Sequence, residues 1–247
     1  MKRVLAAAAA VIILAANPAG GSPKTLTFSG QNCTEAAAFF LLDPAIVRPY
    51  VPERFTIGLV NDTPPLAELV VATTSCDEVA VGKAAGATFF SEVGIYIENV
   101  DDSPGHWHYY GLWQASTHKQ LSRSLSRLGM TAPLVERATF TSVTGRADVS
   151  ATVPWKRAPY SVQLLNPAPI SLFGLRPSVW WYSAGKDRYV RVIYAIESEA
   201  LTTSGTGTIE SSADSPLGEM LGTARLADAT MIERYATVTG IVERVKL

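Results

Sequence analysis

FFSEVGIYIENV, residues 89–100, alternates along its length. On an extended chain Phe90, Glu92, Gly94 and Tyr96 share one face, and Ser91, Val93, Ile95 and Ile97 share the other. The aliphatic set is the better core face. The Glu92 set puts a carboxylate among aromatic rings, which suits a pocket or a barrel lumen; a solvent-facing strand glutamate is the alternative.

The same grammar extends in both directions. PLAELVVATTS (65–75), WHYYGLWQAS (107–116), ERATFTSVTGRADVSATV (136–153), PYSVQLL (159–165), SVWWYS (178–183), RYVRVIYAIE (188–197) and ATVTGIVERV (236–245) are rich in Val, Ile, Thr and aromatic residues. NDTPP, DDSPG and NPAP punctuate them as turns. Three short helices are predicted. One spans 44–50, with Asp43 as cap and Pro44 just inside. A second, near 117–128, aligns Leu121, Leu125 and Leu128 and stops at Gly129. The third, 215–221, is capped by Asp214 or Ser215 and ends at Gly222. No internal repeat or low-complexity linker divides the chain, so residues 22–247 are expected to form one β-rich domain.

The order of these segments resembles the acetoacetate decarboxylase-like superfamily. A helix leading into VRPYVPERFTI, a cysteine-bearing strand, FFSEVGIYI, an aromatic strand, an LSRLGM helix end and finally GTGTIESSADSPLGEMLG are similar in sequence order to that family. The resemblance implies a mainly β fold: a closed antiparallel β-barrel with a few short helices and a ligand cavity inside. It also puts Glu92 where the family carries a cavity carboxylate. The chain departs from the family where the Schiff-base lysine should follow the helix end. LGMTAPLVERATF has Met130 and Thr131 in place of an Arg-Glu pair, and no lysine follows before Lys156. Iminium chemistry needs an amine of depressed pKa, so the family's decarboxylation is expected to be absent.

Composition narrows the partners. Of 247 residues 47% are hydrophobic and 17% charged, an ordinary globular balance. MKRVLAAAAAVIILAANPAGG begins with two basic residues and an apolar run, the form of a secretory signal peptide over residues 1–21. A retained anchor is the alternative. Export would leave 19 basic against 22 acidic side chains, too little positive charge to follow a nucleic-acid backbone. No later stretch is long enough to span a membrane as an apolar helix. A secreted or periplasmic location follows. The expected partner is a small organic ligand in the barrel; no cofactor is called for, and a homo-oligomer is allowed.

In an oxidising compartment the two cysteines, Cys33 and Cys76, are expected to form a disulfide; two buried thiols are the alternative. Tyr96, His108, Tyr110, Trp180 and Tyr182 are candidate ligand-binding residues, with Glu92 as candidate acid or base. His106 and His108, two apart on one strand, share a face that a metal ion can bridge. A metal site needs a third protein ligand. His118 lies in the next helix, and Asp101, Asp102, Glu92 and Glu98 are the available oxygen donors. The histidines therefore read as rim residues, no metal ligand is assigned, and a metal-dependent enzyme stays as the competing hypothesis. A binding protein and an enzyme working by proton transfer at Glu92 both remain open.

Overall fold

The computed structural model describes residues 25–98, 100, 106–135, 137–143, 146–153, 158–165, 175–203 and 205–247. The proposed signal peptide and the DDSPG turn lie outside these residues.

Seven strands close into a barrel. In chain order they are β1 (Thr25–Leu42), β3 (Pro65–Val81), β4 (Ala84–Ile97), β5 (Trp107–Ser116), β9 (Leu175–Ser183), β10 (Tyr189–Thr203) and β13 (Ala229–Val245). Around the barrel the order is β1-β13-β10-β9-β5-β4-β3, and β3 closes back on β1. The short β2 (Leu59–Asp62) extends the sheet beyond β3. Neighbouring barrel strands are antiparallel except β5 and β9, which run parallel with Tyr109 opposite Trp180. This parallel seam refines the antiparallel expectation. Between β5 and β9 the chain leaves the barrel for a helix and a second sheet, the long crossover that a parallel pair requires.

That second sheet holds β6 (Arg137–Val143), β7 (Arg146–Val153), β8 (Ala158–Leu165), β11 (Thr206–Ser211) and β12 (Ala224–Leu226), in the order β12-β11-β8-β7-β6. Tyr160, Val162, Leu164 and Ile209 pack into one cluster with Val93, Ile95, Trp113 and Trp181 from the outer face of the barrel. A polar seam crosses this layer: Trp113 Nε1 donates to Ser91 Oγ at 3.1 Å, and Ser91 Oγ is 2.5 Å from the Tyr160 hydroxyl. Barrel strands are thus buried on both faces, which is why FFSEVGIYI carries apolar residues in both alternating sets.

The helices fall where expected. α1 (Pro44–Val47) runs on into a 3-10 turn at Arg48–Tyr50, and the Asp43 carboxylate caps it by accepting from the Ala45 amide. α2 (Lys119–Arg127) is capped by His118, whose Nδ1 accepts from the Leu121 amide at 3.1 Å. α3 (Pro216–Leu221) is capped by Ser215. Leu121, Leu125 and Leu128 are buried among Val79, Val190, Val192 and Val242, so α2 fills one end of the barrel interior. Each such leucine contributes roughly 1.5–3 kcal/mol of burial.

β1 is not legible as a strand in the sequence. Its second half, EAAAFFLL, lacks a polar face because Ala36 and Phe40 pack outward while Ala37 packs inward. Cys33 on β1 and Cys76 on β3 are direct register partners and form the disulfide, with an S–S distance of 2.03 Å.

Candidate functional site

The barrel encloses a cavity of about 810 Å³, with side chains from all seven strands in its wall. β5 and β9 supply Trp107, Tyr109 and Trp180; β10 adds Tyr194 and Ile196. β1, β3 and β13 supply Glu35, Glu68 and Glu233. Phe28 and Phe90 line it towards the α2 end.

Glu92 projects from β4 into this wall and is 7% exposed. Its Oε1 accepts from the Tyr194 hydroxyl at 2.7 Å and from the Tyr182 hydroxyl at 2.9 Å. Tyr194 in turn accepts from Gln114 Nε2, and Gln114 stands directly opposite Glu92 across the β4–β5 ladder. Burial pushes the Glu92 carboxyl up to about 7, although the hydrogen bonds from Tyr194, Tyr182 and Gln114 favour its ionised form. Desolvation outweighs three donors. Burial and the nearby Glu92 carboxylate both hold Tyr182 and Tyr194 well above the ordinary tyrosine value, so they remain hydrogen-bond donors near neutral pH. Elsewhere in the wall, Glu68 accepts from the Tyr109 hydroxyl at 3.4 Å, and burial raises its pKa.

Glycines set the depth of this cluster. A Cβ on Gly111 would lie 2.1 Å from the Tyr182 ring, and one on Gly94 would lie 2.5 Å from the Trp180 ring. Both rings lie over bare backbone, which lets Tyr182 reach Glu92.

Of the candidate residues, Glu92 and Trp180 line the cavity, and Tyr182 stacks behind Trp180 with ring centroids 6.3 Å apart. Tyr96 shares the Glu92 face of β4 but backs the Tyr109 ring at 6.0 Å rather than lining the cavity. His108 and Tyr110 point to the opposite face. Trp181 Nε1 donates to His108 Nδ1 at 3.3 Å, and Tyr110 packs 5.3 Å from the Phe55 ring. The alternation along β5 has the expected phase, but its lumen side is the Trp107 and Tyr109 side. Period two cannot name the inner face when both faces are apolar. His106 is half-buried just before β5. Among the described residues, no group of three or more His, Cys, Asp and Glu side chains is arranged to hold a metal ion.

Gln114 and Tyr194 escape sequence reasoning for different reasons. Leu112 is an extra residue opposite the Val93–Gly94 step, and this bulge turns Trp113 outward and Gln114 inward. Tyr194 follows Val190 and Val192 on one face of β10, a pattern present in RYVRVIY but with nothing local to mark it as lumenal. Glu68 and Gln114 do leave a signal, each being a polar residue inside an apolar strand.

No protein-family model matches the chain. No curated protein matches it either. Solved structures do. An acetoacetate decarboxylase superposes over 89% of this chain and 88% of its own, with a TM-score of 0.57 and 10% identity. The acetoacetate decarboxylase of Legionella pneumophila covers 94% and 90%, with a TM-score of 0.53 and 10% identity. The chain has the acetoacetate decarboxylase-like fold. An acetoacetate decarboxylase-like enzyme from Sphingomonas wittichii RW1 is similar over 97% of this chain and 99% of that one, at a TM-score of 0.51 and 10% identity. Likeness at that identity carries the fold and leaves the chemistry to the residues in the barrel. In this acetoacetate decarboxylase-like barrel, Lys83, Lys119, Lys186 and Lys246 are exposed, and no lysine is among the described residues of the cavity wall. Met130, where the family pattern has a charged pair, is buried among the α2 leucines.

Proposed function

We propose that this protein binds a small organic molecule in its barrel, without Schiff-base decarboxylation, and that Glu92 is the polar anchor of the site. One observation carries the proposal: a buried carboxylate, oriented by two tyrosine hydroxyls, in the wall of a cavity of about 810 Å³. That volume suits a small ligand, and the wall has the usual form of such sites, mostly apolar with a few convergent polar groups. Export as a secreted or periplasmic protein is part of the proposal. It is supported by the Cys33–Cys76 disulfide, which persists in oxidising compartments, and by the form of residues 1–21. Among the described residues, no helix is long and apolar enough to cross a membrane.

A second reading is favoured by the Glu92 pKa of about 7. A carboxyl that is half ionised near neutrality is matched to proton transfer, so an acid–base enzyme working without a covalent intermediate is the runner-up. Native mass spectrometry of protein purified from its own host tests the binding proposal, the expected result being a retained small molecule. The Glu92→Gln variant is expected to lose that molecule. Unchanged retention, with Glu92 readily modified by a water-soluble carbodiimide in the folded protein, would overturn its place as the anchor.

A further inference from the structure

Carboxylates are the charged groups of the cavity wall among the described residues. Tyr182 and Tyr194 give their hydroxyl protons to Glu92, and Tyr109 gives its own to Glu68. Glu35 accepts from Thr74 at 3.1 Å and from Tyr235 at 3.5 Å. The hydroxyls are thereby spent as donors. Asp228, also in the wall, is already matched by Arg225 at 3.6 Å. No Lys, Arg or His is among the described residues of the lining. Trp107, Ser178, Trp180 and Thr230 bring further donor groups to the wall, but its charged groups among the described residues are carboxylates, so an anion meets like charge and a cation meets a partner.

The apolar part of the wall has a matching character. Tyr109 and Trp180 lie 4.9 Å apart at an interplanar angle of 31°, and Trp180 continues onto Tyr182 at 14°. The negative face of such rings attracts cations, most strongly where water is excluded. Glu92 reaches the cavity close to this surface, because Tyr182, which stacks on Trp180, is one of its two tyrosine partners.

Resting on the proposal that the barrel holds a small molecule, we infer that the molecule is an organic cation. Its ammonium group lies against Glu92, and its apolar body lies along Trp180 and Tyr109. The N–H groups of the ammonium donate to the Glu92 carboxylate, and its charge pairs with that carboxylate.

Three probes with one body and different charge test this: 3-phenylpropylamine, 3-phenylpropan-1-ol and 3-phenylpropanoate, titrated calorimetrically into the full chain at about pH 8, above the Glu92 value of about 7. The expected result is an amine bound at least tenfold more tightly than the alcohol, with the carboxylate weakest. Glu92→Gln should reduce the amine to the affinity of the alcohol while leaving the alcohol within about twofold. Trp180→Ala should weaken the amine and the alcohol together, which binding at an outer acidic patch would not do. A carboxylate bound as tightly as the amine, or an amine preference that survives Glu92→Gln, would overturn the cation and leave the binding cavity standing. If none of the three binds and the protein from its own host carries no retained molecule, the binding proposal itself fails and the cation with it.

Discussion

Replacing Glu92 by glutamine removes a titrating group from the barrel while keeping its shape, and the effect on stability has a calculable pH dependence. The carboxyl has an ordinary value of 4.5 and is pushed up to about 7 in the folded barrel, mainly by burial. Between those values the unfolded chain is ionised while the folded chain keeps its proton. The wild-type protein therefore loses stability as pH rises from 4.5 to 7, and the loss is complete above 7. At 1.36 kcal/mol per unit the whole effect is about 3 kcal/mol, of which roughly 2–3 kcal/mol falls between pH 5 and pH 8. The amide of the Glu92→Gln variant does not ionise and has no such loss. Urea unfolding of both proteins at pH 5, 6, 7 and 8, with the disulfide kept oxidised, measures the difference directly. Other titrating groups, Glu68 included, are common to both chains and cancel. The variant should be close to wild type at pH 5 and more stable by roughly 2–3 kcal/mol at pH 8, which is roughly 5–10 °C in Tm for a chain of this size. A difference that stays flat across this range would show that Glu92 ionises normally, and the account of its burial would be wrong.

Three further outcomes are expected. Gly111→Ala should destabilise the protein by about 1–3 kcal/mol, since its Cβ meets the Tyr182 ring at 2.1 Å. By moving one donor off Glu92 it should also shift the midpoint of the pH–stability curve upward; an unchanged midpoint would mean that Tyr182 does not hold the carboxylate. Replacing both Cys33 and Cys76 by Ser opens a loop of sequence separation 43 and should cost roughly 2–4 kcal/mol in urea unfolding, whereas a change under about 1 kcal/mol would assign the constraint to the β1–β3 ladder instead. Borohydride reduction in the presence of acetoacetate should leave the mass of the intact protein unchanged, and a covalent adduct on any lysine would restore Schiff-base chemistry to this barrel.

Local chemistry along the chain was sufficient for most of the element types, β1 excepted, and for the helix ends and the disulfide partners. Asp43-Pro44 and Gly129 are punctuation that acts within a turn of helix, and an isolated pair of cysteines has one intramolecular pairing. Glu92 was legible in part: a carboxylate among Phe90 and Tyr96 on one face of a strand left a pocket and a solvent-facing position both open, and the family resemblance is what favoured the pocket. What stayed hidden depends on which neighbours arrive. Alternation separates His108 and Tyr110 from Trp107 and Tyr109, but it gives no sign of which pair faces the lumen. Phe55 packs on Tyr110 and Tyr160 of the second sheet on Trp113, so the outer side of β5 is apolar as well as the inner. The bulge at Leu112, the reach of Tyr194 to Glu92 across 102 residues, and the parallel seam between β5 and β9 arise only once the barrel closes. A side chain's neighbours along a strand are set by bond geometry, whereas its neighbours across the lumen are set by closure, and the Glu92 site is made almost entirely of the second kind.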